Sequence, residues 1–278
     1  MSKRPDDPLA WMRNSRNRAG AFSGSSQGVT TSNSNTRILT PATAAAARPA
    51  APVPASISVA GMPGNLGLNS DRMRAAMVQR LRQQGIVDER VLDAMMAVPR
   101  HHFVDEALAS RAYEDAALPI GFGQTISQPW VVAHMISAVC RDRAPAKVLE
   151  VGAGCGYQAA VLAQVVKEVH AIERIKGLYE TARQRLRQLR LFRVKLSFGD
   201  GMAGAPSAAP FDAIVVAAAG MQIPRALLEQ LAVGGRLIAP EGGTQQRLVL
   251  VERTGPATWV RTELEAVRFV PLRAGIQS

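Results

Sequence analysis

The side chains of this chain best placed to do chemistry are acids set beside glycine turns. The stretch Lys147-Val-Leu-Glu-Val-Gly-Ala-Gly-Cys-Gly-Tyr157 puts Glu150 just before three glycines at alternate positions, Gly152, Gly154 and Gly156. Glycine has no Cβ, so such a turn reverses tightly and brings backbone amides within reach of a bound molecule. A helix starting after it adds unsatisfied N–H donors and partial positive charge. The spacing is G-x-G-x-G, not the G-x-G-x-x-G of a dinucleotide pyrophosphate site. A carboxylate at Glu150 repels a phosphate and attracts, directly or through water, a cationic amino group. A second acid, Glu173, stands 17 positions beyond Gly156. It is either a surface acid at a strand end or the acid that hydrogen-bonds ribose hydroxyls in cofactor-binding α/β folds. Asp200, between Gly199 and Gly201, either sets a carboxylate beside a purine amine or makes a plain turn.

A different stretch, Leu118-Pro-Ile-Gly-Phe-Gly-Gln-Thr-Ile-Ser-Gln-Pro129, weaves hydroxyls and turn formers among Ile120, Phe122 and Ile126. That mixture suits a loop packed over something, not one hanging in solvent. The four histidines, His101, His102, His134 and His170, form no evident Ser–His–acid set with Ser127. A hydrolase is therefore disfavoured.

The elements that must position these residues alternate. Ser70 is placed to cap a helix carrying Met73, Met77 and Leu81 and ending at Gly85. A second helix is expected over Glu89–Ala97, with Val91, Leu92, Met95 and Met96 on one face, and a third from Pro129 to about Arg141. Val148–Val151 reads as a buried strand followed by a helix. Glu168–Glu173 is the second strand, and the amphipathic helix behind it carries Ile175, Leu178, Ala182, Leu186 and Leu189. Arg193–Phe198 alternates as an exposed-edge strand would. Strands at 211–216 and 234–240 flank a helix at 224–231, and those at 247–252 and 259–270 follow with no helix between them. Strand–helix alternation ending in strand pairs predicts an α/β fold: a Rossmann-like, mostly parallel twisted sheet with an antiparallel edge, helices on both faces, and N-terminal helical additions.

The 278 residues carry a net charge of +11. Seven Lys/Arg against Asp6 and Asp7 give residues 1–68 +5 of it, and the other +6 is spread over the rest of the chain. With aromatic residues at 5%, stacking platforms are scarce, which argues against a dedicated nucleic-acid function. Residues 1–68, rich in Ser, Asn and Thr and then in Ala and Pro, are expected to be a solvated, disordered tail. An organelle transit peptide fits less well, because no sustained amphipathic helix accompanies the arginines. Residues 69–278 are then the folded domain, with 69–145 as helices and substrate loop and 146–278 as the donor-binding core. No run approaches the roughly 18 apolar residues of a membrane span. Cys140 and Cys155 make neither a disulfide framework nor a metal cluster. A cytoplasmic location, no membrane partner and no metal are expected.

Taken together, Glu150–Gly156, Glu173, Gly199-Asp-Gly201 and Gly234-Gly-Arg-Leu-Ile-Ala-Pro240 resemble a class I S-adenosylmethionine-dependent methyltransferase. More narrowly, Pro99-Arg-His-His-Phe-Val104, Thr125-Ile-Ser-Gln-Pro129, Pro210-Phe-Asp-Ala-Ile214 and Val267-Arg-Phe-Val-Pro-Leu272 are similar to the protein-L-isoaspartate O-methyltransferase family, over about Ser70 to Gly275. The resemblance implies transfer of a methyl group from S-adenosyl-L-methionine to the free α-carboxylate of an isoaspartyl residue in damaged proteins and peptides. The ester then collapses unaided to a succinimide. It also implies that Ser127 aligns the carboxylate. Glu150, Gly152, Gly154, Gly156, Glu173, Asp200 and Gly201, with Gln124, Thr125 and Ile126 of the loop, would form the donor site, and the protein would act as a monomer. Two alternatives stay open: a methyltransferase acting on a small molecule or RNA, and a non-catalytic binding module. Arg273 stands where some relatives have a small hydroxyl residue, and Cys155 replaces a small residue, often Ser.

Overall fold

The computed structural model describes residues 67–278. The expected tail lies outside the described residues except for Gly67 and Leu68, which begin the first helix. Helix α1 (Gly67–Gln83) starts earlier than a Ser70 cap would allow, so Ser70 sits buried in its first turn. Helix α2 (Glu89–Ala97) is capped by Asp88, whose side chain accepts from the Arg90 amide. Val91, Leu92 and Met95 are buried as expected, whereas Met96 turns outward. Two 3-10 turns, Arg100–Phe103 and Glu106–Arg111, lead to a small antiparallel hairpin of β1 (Leu118–Gly121) and β2 (Gln124–Ile126). Helix α3 (Pro129–Cys140) follows, with proline at its first position, where a missing N–H costs nothing.

The core begins with β3 (Lys147–Val151), α4 (Tyr157–Val165), β4 (Glu168–Glu173) and α5 (Lys176–Gln188). It continues with β5 (Val194–Phe198), β6 (Phe211–Val216), a short α6 (Arg225–Glu229), β7 (Leu231–Gly242), β8 (Gln246–Gly255) and β9 (Thr258–Val267). These strands form one sheet in the order β5-β4-β3-β6-β7-β8-β9. Its pairings are parallel from β5 to β7 and antiparallel from β7 to β9. Strands β3 and β6 are buried nearly throughout because both their faces are covered. Val148 packs on one side with α2, α3 and α4, and Leu149 and Val151 pack on the other with Ile172, Leu227 and Leu237.

Strand β9 stops at Val267, short of the expected 270, and two boundaries around β7 also differ from the sequence pattern. Helix α6 stops at Glu229 because Leu231 is already paired with Phe211 in the sheet, and β7 therefore starts early. Gly234 and Gly235 mark an irregularity inside β7, not its beginning. At Gly235 a Cβ would lie 2.9 Å from the Ala232 and Asp212 carbonyl oxygens.

The 3-10 turn after α2 carries a pair of histidines that bears on stability. His101 is half-buried, its Nδ1 lies 2.6 Å from the Tyr113 hydroxyl, and its ring centroid is 4.1 Å from that of His102. Burial, then the charges of His102 and Arg74, push its pKa down to about 4, with Asp71 opposing. His102 is lowered too, by burial and by Arg74 and Arg185. An unfolded histidine titrates near 6.5, so on acidification the unfolded chain takes up these protons first. The stabilisation is complete above about pH 6.5 and is lost as pH falls towards 4. Urea midpoints are expected to drop across that window, and His101→Gln should make the drop shallower. An unchanged slope in the variant would show that this histidine does not couple folding to pH.

Candidate active site

The glycine turn joins β3 to α4 at the carboxyl end of the sheet, where the strand order reverses direction and open α/β sheets form their crevices. A cavity of about 400 Å³ lies there, within the roughly 300–1,000 Å³ of small-molecule sites. Gly152, Gly154, Glu173 and Gly201 form one side of it, and Ile120, Phe122, Gln124 and Thr125 reach over from the hairpin. The third wall is the C-terminal segment, Val270–Arg273 with Gln277. A smaller recess of about 40 Å³ adjoins it, lined by Ser127, Ile126, Glu150 and Gln158 among others. The two share Thr125, Gly152, Gly154 and Ala217.

The turn does not work as its glycines suggested. The amides of Gly152 and Ala153 both donate to the Ile172 carbonyl, that of Gly156 donates to Ala153, and that of Gly154 donates to Glu173 Oε2 at 2.8 Å. These amides are committed within the fold, so the turn offers a close-approach surface in place of a row of free donors. Gly154, at φ +55°, lies so near the hairpin that a Cβ would stand 3.2 Å from Ile120 Cδ1. Gly156 lines neither space; it faces Ala182 and Leu186 of α5 and lets two helices approach.

The acids are placed unequally. Glu173 is buried, and its other oxygen, Oε1, accepts from the Ile175 amide at 2.8 Å. Each oxygen keeps a second lone pair, so Glu173 both ties the glycine turn to the start of α5 and faces the cavity. Glu150 is fully buried, and neither of its oxygens has a hydrogen-bond partner. Burial, then the charge of Glu173, raises its pKa well above the usual carboxylate range. Two neighbouring acids, one of them orphaned, fit a ligand that brings a cationic amino group or other positive charge. They do not fit a phosphate.

Asp200 does not line the cavity, although Gly201 does. Its carboxylate accepts from the Met202 amide and, at 2.8 Å, from the Gly275 amide. It thereby holds the C-terminal segment, which also pairs through Gln277 with Arg174 and Lys176, and through Val270 and Leu272 with Ala219. Arg273 lines the cavity, and Cys155 is a buried thiol with its pKa raised by burial.

Three participants were not among the site residues expected from the sequence, although Phe122 and Arg100 lie in stretches noted there. Gln158 is buried, with Nε2 unpartnered in the smaller recess. Phe122, at φ +54°, rests its ring where a side chain at Gly177 would lie. Arg100, inside the motif Pro99–Val104, donates to the Ser127 carbonyl at 2.7 Å. Among the described residues no group of three or more His, Cys, Asp or Glu could hold a metal, and no helix is long and apolar enough to cross a membrane.

Comparison with known proteins places this geometry. The family model for protein-L-isoaspartate(D-aspartate) O-methyltransferase matches residues 72–277. A curated relative named protein-L-isoaspartate O-methyltransferase, from Bordetella parapertussis, is 75% identical over 253 residues, covering 90% of this chain and 94% of its own. That span is more than residues 69–278 can supply, so the likeness reaches into the tail. A relative of the same name from Burkholderia ambifaria is 59% identical, covering 77% of this chain and 70% of its own. A solved protein-L-isoaspartate O-methyltransferase superposes with a TM-score of 0.68 at 29% identity, covering 73% of this chain and 67% of that one. A Plasmodium falciparum structure in complex with S-adenosyl-L-homocysteine shares the fold, with a TM-score of 0.64 at 24% identity over 72% and 98% of the two chains.

Removing the Glu173 carboxylate by Glu173→Ala leaves the Gly154 and Ile175 amides unpaired, at roughly 1–3 kcal/mol for each buried donor. Chemical denaturation is expected to show a loss of that order, and Glu173→Gln, which keeps an acceptor, a smaller one. Equal losses in the two variants would mean that the amides find other partners.

Proposed function

The chain belongs to the protein-L-isoaspartate(D-aspartate) O-methyltransferase family and is an S-adenosylmethionine-dependent carboxyl methyltransferase, and we propose that it carries out the transfer in the recess where Ser127 meets the glycine crevice. The substrate is the free α-carboxylate of an L-isoaspartyl residue in a damaged protein or peptide. The observation that carries the proposal is continuity: the recess lined by Ser127 and the cavity lined by Glu173 share Thr125, Gly152, Gly154 and Ala217. A donor against the glycines and an acceptor at the serine are then neighbours.

The donor supplies a methyl group on a positively charged sulfur. Glu150, Gly152, Gly154, Glu173 and Gly201 would hold it, with Gln124, Thr125 and Ile126 over it. Gly156 and Asp200 serve the site indirectly, one by packing α4 against α5 and the other by anchoring the C-terminal wall. An α-carboxylate is ionised at neutral pH, so the acceptor needs no general base. The remaining task is in-line placement and exclusion of water, and orientation alone is worth about 7–11 kcal/mol in favourable cases. Ser127 orients the carboxylate by donating its hydroxyl; it is not a nucleophile. Residues 69–278 form the catalytic unit, and the basic tail is an appendage to it. Action as a monomer in the cytoplasm, without nucleic-acid or membrane partners, completes the reading. The two free, buried thiols suit a reducing compartment.

The deciding experiment offers labelled S-adenosylmethionine with two peptides that differ only in an isoaspartyl or aspartyl linkage. Label is expected in the first alone, and equal labelling would overturn the substrate assignment while leaving the donor assignment standing. Ser127→Ala should lower kcat by about 10- to 100-fold, the equivalent of the roughly 1.5–3 kcal/mol of a hydrogen bond to a charged group. Its affinity for S-adenosylhomocysteine should not change. Undiminished turnover would remove Ser127 from the mechanism.

A further inference from the structure

Arg100 is completely buried, yet among the described residues its guanidinium reaches no carboxylate. Nε donates to the Ala112 carbonyl at 2.7 Å and Nη2 to the Ser127 carbonyl at 2.7 Å. The guanidinium carbon lies 4.7 Å from the centroid of the Tyr157 ring, and Nη1 has no acceptor within hydrogen-bonding distance. An arginine stays charged at neutral pH. A buried cation served by two carbonyls and one aromatic face is an expensive way to fill core volume, since an apolar side chain of similar size avoids the desolvation cost.

What the arrangement achieves is registration. The planar fork joins three segments that are far apart in sequence: the chain before β1 through Ala112, the serine loop through Ser127, and the first residue of α4 through Tyr157. Tyr157 directly follows the glycine turn. One rigid group therefore sets the height of the Ser127 backbone against the helix that begins beside the donor crevice. The serine has no strand of its own to fix it. Strand β2 ends at Ile126 and α3 begins at Pro129, with Gln128 as its N-cap.

We propose that Arg100 is a positioning residue for methyl transfer: by holding the Ser127 carbonyl it fixes the angle at which the serine hydroxyl meets the substrate carboxylate. It acts through Ser127 and touches neither substrate nor donor. The inference rests on the alignment role given to Ser127 above.

The test is a double-mutant cycle on the full chain, combining Arg100→Met with Ser127→Ala and measuring kcat and KM on an isoaspartyl peptide together with S-adenosylhomocysteine affinity. Arg100→Met alone is expected to lower kcat by about 10-fold or more, to leave S-adenosylhomocysteine affinity within about threefold, and to have almost no further effect once Ser127 is alanine. Arg100→Lys keeps the charge without the two-carbonyl fork and should fall between wild type and Arg100→Met. A drop of the same size in both serine backgrounds, or an Arg100→Met protein with full turnover, would overturn the proposal. If Ser127→Ala is itself without effect, the alignment role of Ser127 fails first, and that result is distinguishable from additivity. Should Arg100→Met no longer bind S-adenosylhomocysteine, Arg100→Lys takes its place in the cycle, with the same criterion of additivity.

Discussion

Two carboxylates at the ends of neighbouring parallel strands set the character of the crevice, and they are satisfied unequally. Glu173 accepts from the amides of Gly154 and Ile175. Glu150, one strand over, has no partner, and burial together with the charge of Glu173 holds its carboxyl towards the neutral state. Among the described residues neither acid forms an ion pair with Lys, Arg or His. A positively charged ligand would favour ionisation of Glu150 and give its oxygens the partner they lack. A sulfonium donor with an ammonium group brings such charge, whereas a dinucleotide pyrophosphate would bring the opposite. The internally bonded amides of the glycine turn point the same way. They have little left to offer a phosphate, and the crevice is selective through charge and closeness.

Much of this was legible in the chain because it follows from local rules. An apolar run ending in glycines at alternate positions must be a buried strand entering a tight turn, and alternation of strand and helix permits few topologies. The Glu150–Gly156 stretch, the acid at 173 and the Gly199–Gly201 turn all lie at the sheet's carboxyl end, as that topology requires. Where local reading failed, a tertiary contact had won. Leu231 enters the sheet by pairing with Phe211 and cuts the preceding helix short. Gly156 serves the packing of α4 on α5, a demand invisible until both helices are placed.

The site's supporting residues were illegible for the same reason, more severely. Asp200 reads either as a ligand-facing acid or as part of a plain turn, and nothing in its neighbours shows that the Gly275 amide, 75 positions away, claims one of its oxygens. The C-terminal wall that it anchors has no periodicity to announce it. Arg100 stands inside the motif Pro99–Val104, which by itself assigns it no partner. Its burial and its hold on Ser127 appear only when residues 27 positions apart meet. Periodicity and spacing report which elements exist. They say nothing about which side chains lock those elements together.

The two ends of the site carry opposite charge, and the chemistry explains why that is tolerable. Methyl transfer from a sulfonium to a carboxylate turns a cation and an anion into a neutral thioether and a neutral ester. Charge is dispersed on the way to the transition state, so a surrounding that solvates the separated ions weakly favours reaction. Such a surrounding would also bind the ions poorly unless each meets a fixed counter-group. In the proposed site Glu173 would supply that group on the donor side, while Glu150 lines the adjoining recess. If Ser127 receives the acceptor, as proposed, the formal charge nearest it, at Arg100, is held one layer back, against the Ser127 carbonyl. A cation in direct contact would stabilise the carboxylate before reaction and be left unpaired once the ester forms. In the proposed arrangement a hydroxyl in front with the cation behind it would orient the anion without binding the ground state too tightly, which is the balance that catalysis by differential binding demands.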